Sequence, residues 1–192
     1  AGFATLVWPP TGLVLAALAP ERVVYLGSVS KTLAPALRLG WVVAPPDVRE
    51  ELVVRKQWSD ITSPALGQLA LAELITSGGF ERHLRKVRAR QRTRRDALLG
   101  ALRTHLPGAR VHGIAAGLHL LLGLPDGVDD AAVADRALAD GVAVQSLSYH
   151  RLRPGRPGLV IGYASTTPDR LREGVRMLAT AAREHTLTTR RP

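Results

Sequence analysis

The sequence predicts an α/β fold made of an early strand pair, a run of helices and a small strand–helix lobe. Two apolar runs lie on either side of a Ser-x-Ser-Lys turn, which indicates two short strands joined through that turn. The middle of the chain has helical periodicity with start and stop signals. After Pro107, apolar strands alternate with helical segments, as expected for a small α/β or α+β lobe.

The strand pair comes first along the chain. Residues 22–27, "RVVYLG", are β-branched and aromatic and end at a glycine, which predicts a short buried strand. Residues 38–45, "RLGWVVAP", predict a second strand that is closed by Pro45-Pro46. The pattern from Asp47 to Trp58 is helical.

Two further helices fill the middle of the chain. Ser63-Pro64 predicts a helix start, with Ser63 as the N-cap and Pro64 at the first helical position, and Gly78-Gly79 predicts its end. A long helix is then expected from Phe80 to about Leu106. Its apolar positions are sparse in the middle, so we expect much of it to face water.

The last part of the chain predicts the small lobe. We expect strands at 117–125, 142–145 and 158–164, and a helix at 129–141 with acidic residues early and a glycine stop. Thr167-Pro168 opens a last helix that runs to about Glu184, and residues 187–192 form a frayed tail.

Composition and charge exclude several classes of protein and site. The 192 residues contain no cysteine, which excludes disulfides and thiolate metal sites, and the histidines have no metal-ligand spacing. The apolar opening segment has no basic flank and is broken by Pro9, Pro10 and Gly12, so we expect neither a signal peptide nor a membrane span. We expect a cytoplasmic protein.

The net charge of +10 is unevenly distributed, since eight basic residues lie between Glu81 and Asp96. Clustered arginines suit nucleic-acid phosphates. However, these charges lie all round the predicted helix and no aromatic residue is interleaved, which favours a solvated or interdomain face.

The lysine turn has the chemistry of a covalent anchor beside an anion site. The chain has only three lysines, and Lys31 follows a strand that we predict to be buried. A partly desolvated lysine can attack a carbonyl, the Ser28 and Ser30 hydroxyls can bind anion oxygens, and Arg38 offers a planar fork for phosphate. A pyridoxal-phosphate pocket needs these groups. A plain polar surface turn is the alternative.

The longer string "SVSKTLAPALRLGW" resembles the lysine region of fold-type I pyridoxal-phosphate aminotransferases. It is most similar to the aminotransferase-like domain of MocR/GabR-type regulators of the GntR family, and the resemblance extends over about residues 13–185. It implies the C-terminal part of that fold. Residues 1–78 would end the large-domain sheet, 79–108 would form the long linking helix, 109–186 the small α/β domain and 187–192 the tail.

The resemblance also implies a role for each site residue, with pyridoxal 5'-phosphate as the cofactor. Lys31 would form the Schiff base that anchors the cofactor and would move the proton, while Ser28 and Arg38 would bind the phosphate and Ser30 would assist. For Gly40 and Trp41 we expect packing roles.

Two features depart from the family pattern. The family has an aspartate for the ring nitrogen and a tyrosine before the lysine strand, whereas the segment "AGFATLVWPPTG" has neither. The arginine that clamps the substrate carboxylate in the last strand is replaced here by Leu159 or Val160. Arg151 is the candidate to bind that carboxylate, and Arg153 is the second candidate. His119 could approach the site, although a buried or half-buried structural histidine is the favoured interpretation.

Four functional hypotheses follow from the resemblance. The leading one is a fragment of a MocR-type regulator that senses an amino acid or amine through bound cofactor. The alternative is an aminotransferase completed by a missing N-terminal half or a partner subunit. A DNA-binding effector domain without chemistry and an inactive gene fragment are the other two. The resemblance implies a homodimer for the full-length parent, DNA contact only through a missing N-terminal domain, no membrane and no activity of this fragment alone.

Overall fold

The computed structural model describes residues 11–61, 63–112 and 117–188. It divides into two compact units, residues 1–87 and 88–192. The first ten residues, which include most of the opening apolar segment, and the end of the tail predicted to fray lie outside the described residues.

The first unit is a two-stranded ribbon with helices. Its elements are α1 (Thr11–Leu18), β1 (Tyr25–Ser28), a 3-10 turn (Pro35–Leu37), β2 (Gly40–Val43), α2 (Pro46–Asp60), α3 (Ala65–Thr76) and the start of α4 (Gly79–His105). The two strands are antiparallel, with Tyr25 opposite Val43 and Ser28 opposite Gly40. The register places both ends of the lysine turn side by side.

The strands of the first unit are not buried, so the prediction of a buried strand at residues 22–27 is wrong. Leu26 is 62% exposed, and Val42 and Val43 are 50% and 54% exposed. Among residues 15–61 and 63–87, Val29 and Pro45 are the buried ones. A strand is buried only when other elements cover its faces, and β1 and β2 form a sheet of two strands within the described chain.

The start of α3 also differs from the prediction. The helix begins at Ala65 after Pro64, and no side chain caps it. Ser63 does not act as the N-cap because its hydroxyl donates to Asp60 Oδ2 at 3.2 Å instead. Asp60 also accepts from Lys56 Nζ at 2.5 Å. This bond lowers the pKa of the Asp60 carboxyl below its usual value, and desolvation, which raises the pKa, offsets only part of the effect.

The second unit is a four-stranded antiparallel sheet with helices. The rest of α4 is followed by β3 (Arg110–His112), β4 (His119–Gly123), α5 (Asp130–Ala139), β5 (Gln145–Ser146), a 3-10 turn (Ser148–His150), β6 (Gly158–Gly162) and α6 (Pro168–Thr188). The strand order is β3-β4-β6-β5. The sequence did not predict β3, and β5 covers only the end of the strand expected at 142–145.

One face of this sheet forms the core. Leu120 and Leu122 of β4 and Leu159 and Ile161 of β6 alternate toward it. The helices close the core with side chains from α4, α5 and α6: Leu98, Ala101, Leu102, Val133, Ala134, Ala137, Leu171, Val175 and Leu178. Removing a large core side chain such as Leu122 would cost about 2–5 kcal/mol.

The described helices include none with the length and apolar character that a membrane crossing requires.

Candidate functional site

The lysine turn is one helical turn fastened by its backbone. Val29 N donates to Leu39 O at 3.1 Å, and Val29 O accepts from the amides of Thr32 and Leu33 at 3.1 and 2.8 Å. The Val29 side chain is fully buried, with 0% exposure. The turn is therefore anchored at Val29, and Ser30 and Lys31 follow directly on this anchor.

After the lysine turn, the chain reverses direction at Arg38. The 3-10 turn ends there with the Arg38 amide donating to Pro35 O at 3.2 Å, and the residue has φ 52° and ψ 29°. This left-handed conformation is uncommon for a residue other than glycine and persists only where the surrounding structure enforces it. It reverses the chain into β2, so Arg38 lies two residues from Gly40, the partner of Ser28.

Close packing locks the two strands of the ribbon together. A Cβ at Gly40 would lie 2.9 Å from Gly27 O, which real Cβ atoms do not tolerate. A Cβ at Gly27 would overlap the Trp41 ring, so the indole lies across the Gly27 backbone. These contacts give Gly40 and Trp41 a packing function.

The four predicted cofactor residues lie together at one end of this ribbon. Ser28, Lys31 and Arg38 are exposed and Ser30 is half-buried. The exposure of Lys31 contradicts the expectation of a partly desolvated lysine, because the strand before it, β1, alternates half-buried and exposed residues and is not buried. Within the described part of the chain, none of these four side chains forms an ion pair or hydrogen bond, which leaves an amine, two hydroxyls and a guanidinium available to a ligand.

A helix contacts the lysine turn from 51 residues away. His83 of α4 is half-buried and its Nε2 lies 2.8 Å from Thr32 O. A carbonyl oxygen only accepts, so Nε2 carries the hydrogen and donates. Sequence reasoning missed this contact because it had tested the histidines only for metal spacing.

The candidate carboxylate residues lie in the second unit, on the loop between β5 and β6. Arg151 is half-buried and its guanidinium covers Gly155, where a Cβ would overlap it, and Arg153 is exposed.

A buried carboxylate holds both ends of that loop. Asp130, at the first position of α5, is 2% exposed. It accepts hydrogen bonds from Gly158 N at 2.9 Å, from Ser148 N at 3.2 Å and from the Ser148 hydroxyl. The sequence signalled Asp130 only as an acidic residue early in a helix, so its buried role was missed.

Strand β6 does not supply a cation to its sheet. Leu159 is fully buried in the core, and Val160 lies on the opposite face, paired with Leu121 and Gln145. His119 is exposed, so the expectation of a buried or half-buried structural histidine is wrong. β4 alternates, and the residues that it buries are Leu120 and Leu122.

Part of the basic segment of α4 makes structural contacts within the second unit. Arg94 Nη1 and Gln91 Nε2, at 3.3 Å, both donate to Ala164 O. Next to Ala164, Tyr163 donates its hydroxyl to Gly117 O at 2.7 Å. Burial raises the pKa of the Tyr163 phenol, and the charge of Arg95 partly offsets this. No group of three potential metal ligands occurs among the described residues.

Comparisons with known proteins agree on one family. The sequence profile of aminotransferase class I and II matches residues 3–178. An uncharacterized aminotransferase from Saccharolobus solfataricus is 34% identical over 88% of this chain and 42% of its own length. The probable rhizopine catabolism regulatory protein MocR from Rhizobium meliloti is 31% identical over 83% of this chain and 33% of its own length.

The fold comparison gives the same result. The crystal structure of LysN, the α-aminoadipate aminotransferase of Thermus thermophilus, matches 92% of this chain and 46% of its own with a TM-score of 0.80 and 32% identity. That structure is complexed with N-(5'-phosphopyridoxyl)-L-leucine. This chain thus spans less than half the length of these relatives, and the prediction of part of a fold-type I α/β domain is confirmed.

The family and its structural neighbours imply pyridoxal 5'-phosphate as the cofactor. The donor set at the end of the ribbon suits this group: the Lys31 amine can take the aldehyde, and two hydroxyls and the Arg38 fork can take the phosphate. Sequence profile, relatives of both kinds and fold agree, and the chain belongs to the aminotransferase class I and II family.

Proposed function

We propose that the lysine turn binds pyridoxal 5'-phosphate covalently and that the chain is the aminotransferase-like part of a MocR-type regulator, which senses an amino acid or amine at this site. The observation that supports this most is the position of Ser28, Lys31 and Arg38 at one end of the ribbon, with Arg38 in a strained conformation that sets its place. Several relatives of comparable identity are transcriptional regulators, including YdfD and YhdI of Bacillus subtilis at 32% and 34%.

Each residue has a distinct task in this proposal. Bound pyridoxal phosphate supplies an aldehyde that reacts with amines and a ring that accepts electrons. Lys31 Nζ attaches the cofactor and holds or releases the proton there. Ser28 and Ser30 donate their hydroxyls to phosphate oxygens, and Arg38 donates two parallel N–H bonds.

The ligand is an amine, with or without a carboxylate. Arg151 is the proposed carboxylate partner because β6 offers Leu159 and Val160 but no cation, and Arg153 on the same loop is the reserve.

An active aminotransferase is the second candidate. It is favoured by relatives of equal similarity, such as the 2-aminoadipate transaminase of Thermus thermophilus, 35% identical over 83% of this chain and 40% of its own length. Amino acid and 2-oxoacid turnover by the full gene product, compared with ligand-dependent DNA binding by the same protein, separates the two. Sustained turnover without any ligand-dependent change in DNA affinity would favour the aminotransferase over the sensor.

Replacing Lys31 tests covalent binding directly. We expect the purified protein mixed with pyridoxal 5'-phosphate to develop a visible absorption band that Lys31→Ala abolishes, because only a primary amine at this turn can take the aldehyde. Borohydride reduction followed by peptide mapping should place the label on Lys31.

The other two lysines provide matched controls. Lys56 is an exposed lysine paired with Asp60, and Lys86 lies on α4. Lys56→Ala and Lys86→Ala should keep the band. A label distributed over all three lysines, or a band that survives Lys31→Ala, would overturn the proposal.

A further inference from the structure

His83 is the one described side chain from outside the lysine turn that forms a hydrogen bond with it. The imidazole is half-buried on the first turns of α4, and Nε2 donates to Thr32 O at 2.8 Å. Thr32 is the residue directly after Lys31. The bond therefore fastens the backbone on the C-terminal side of the lysine.

The direction of the Lys31 side chain depends on that backbone. Lys31 is exposed, and in the described chain its side chain forms no hydrogen bond or ion pair that would aim it. The internal bonds of the turn run from the amides of Thr32 and Leu33 to Val29 O, so both of their ends lie within the turn itself. The contact from His83 links the Thr32 backbone to α4 in addition, and a shift of about 1 Å in a reacting group can change a rate about 100-fold.

We propose that His83 is a positioning residue, which holds the lysine turn so that Nζ meets the cofactor aldehyde. This inference rests on the proposed covalent binding at Lys31. It assigns His83 no contact with the cofactor, because its described hydrogen bond is to the backbone. The proposed phosphate-binding residues are Ser28, on β1, and Arg38, just before β2, so their positions do not depend on this bond.

Two substitutions at His83 separate the hydrogen bond from the bulk of the ring. In His83→Gln the amide nitrogen is as many bonds from Cα as Nε2 is, so it can donate to the same carbonyl. In His83→Leu the volume is kept and the donor is lost. His105→Leu, the same change near the other end of α4, is the control.

Two probes separate lysine positioning from general damage to the site. Pyridoxal 5'-phosphate binds through both its aldehyde and its phosphate. Pyridoxine 5'-phosphate has no aldehyde, so its affinity measures the contribution of the phosphate-binding residues without that of Lys31. We expect His83→Leu to weaken the binding of pyridoxal 5'-phosphate about tenfold, because the Thr32 backbone next to Lys31 loses its hydrogen bond to α4. Pyridoxine 5'-phosphate affinity should stay within about twofold, and His83→Gln should restore the first affinity.

The outcomes distinguish the two proposals. A native protein without a Lys31-dependent band overturns the proposed function. A native protein with the band, but with His83→Leu unchanged or with both probes weakened equally, overturns only the positioning role. The positioning role is supported if His83→Leu weakens pyridoxal 5'-phosphate but not pyridoxine 5'-phosphate. His83→Gln should then restore the affinity, and His105→Leu should leave it unchanged.

Discussion

At the scale of single residues, Arg38 combines a strained backbone with an exposed cation. A non-glycine residue in the left-handed region costs about 1–2 kcal/mol, which glycine would avoid. Arg38 nevertheless occupies this position, at φ 52°. A side chain kept at such a cost is expected to have a use, and phosphate binding is the use that we propose.

Arg38→Gly should therefore separate stability from binding. We expect the free energy of unfolding to stay within about 1 kcal/mol of the native value, because relief of strain offsets the greater freedom of glycine in the unfolded chain. Pyridoxal 5'-phosphate affinity should fall about 10- to 100-fold with the loss of charge-assisted bonds. Denaturant titration and cofactor titration measure the two quantities.

Arg38→Lys completes this comparison. Lysine keeps the charge but loses the planar fork, so its affinity should lie between those of the native protein and Arg38→Gly. Equal affinity in all three proteins would show that Arg38 does not bind the phosphate.

At the scale of elements, Asp130 joins helix α5 to the loop between β5 and β6. Three donors converge on its buried carboxylate, from Ser148 and Gly158. Buried charges are tolerated when hydrogen bonds satisfy them, and breaking such a set leaves donors unpaired. Asp130 thereby supports the segment that carries Arg151.

Asp130→Asn should destabilise the second unit by about 1–2 kcal/mol, because it replaces charge-assisted hydrogen bonds to the carboxylate with weaker bonds to a neutral amide. The neighbouring Asp129 is an exposed N-cap whose side chain accepts from Ala131 N and Ala132 N at 3.0 and 3.1 Å. Since asparagine caps as well as aspartate, Asp129→Asn should have little effect. Denaturant unfolding of both variants is the measurement. Equal unfolding midpoints for Asp130→Asn and Asp129→Asn would contradict the stabilising role of the buried Asp130 carboxylate.

The elements also show what the sequence could predict. Periodicity and stop signals located α2 to α6 to within a few residues but did not predict α1, and the motif around Lys31 located the turn and its family. The His83 and Asp130 contacts join residues 51, 18 and 28 positions apart, which local patterns do not encode. Strand β1 was predicted to be buried because its residues are apolar, but an apolar run does not show whether another element covers the strand.

At the scale of the whole molecule, the two units differ in how much apolar surface they bury. The second unit has a continuous core, whereas among residues 15–61 and 63–87 of the first unit Val29 and Pro45 are the buried residues. Large apolar side chains of the first unit remain more than half exposed: Leu26, Val43, Val53, Val54, Trp58, Ile61, Leu66, Leu69 and Ile75. Burial is the main stabilising contribution to folding, so the first unit has little stability of its own.

Hydrogen exchange should therefore separate the units. We expect the amides of β4 and β6 to exchange only with global unfolding of the second unit, and those of β1, β2 and α2 to exchange through local opening at a small free-energy cost. Exchange read by mass spectrometry on peptides from each unit measures this. Similar protection in both units would contradict the burial argument.

The contact between Trp41 and Gly27 places an intrinsic fluorophore next to the lysine turn. The indole lies across the backbone of the residue just before Ser28, so anything that occupies the end of the ribbon changes the surroundings of its emission. Trp58, at 85% exposure, emits instead from an environment close to water. The fluorescence of the unlabelled chain can thus report occupancy of the lysine turn without an added dye.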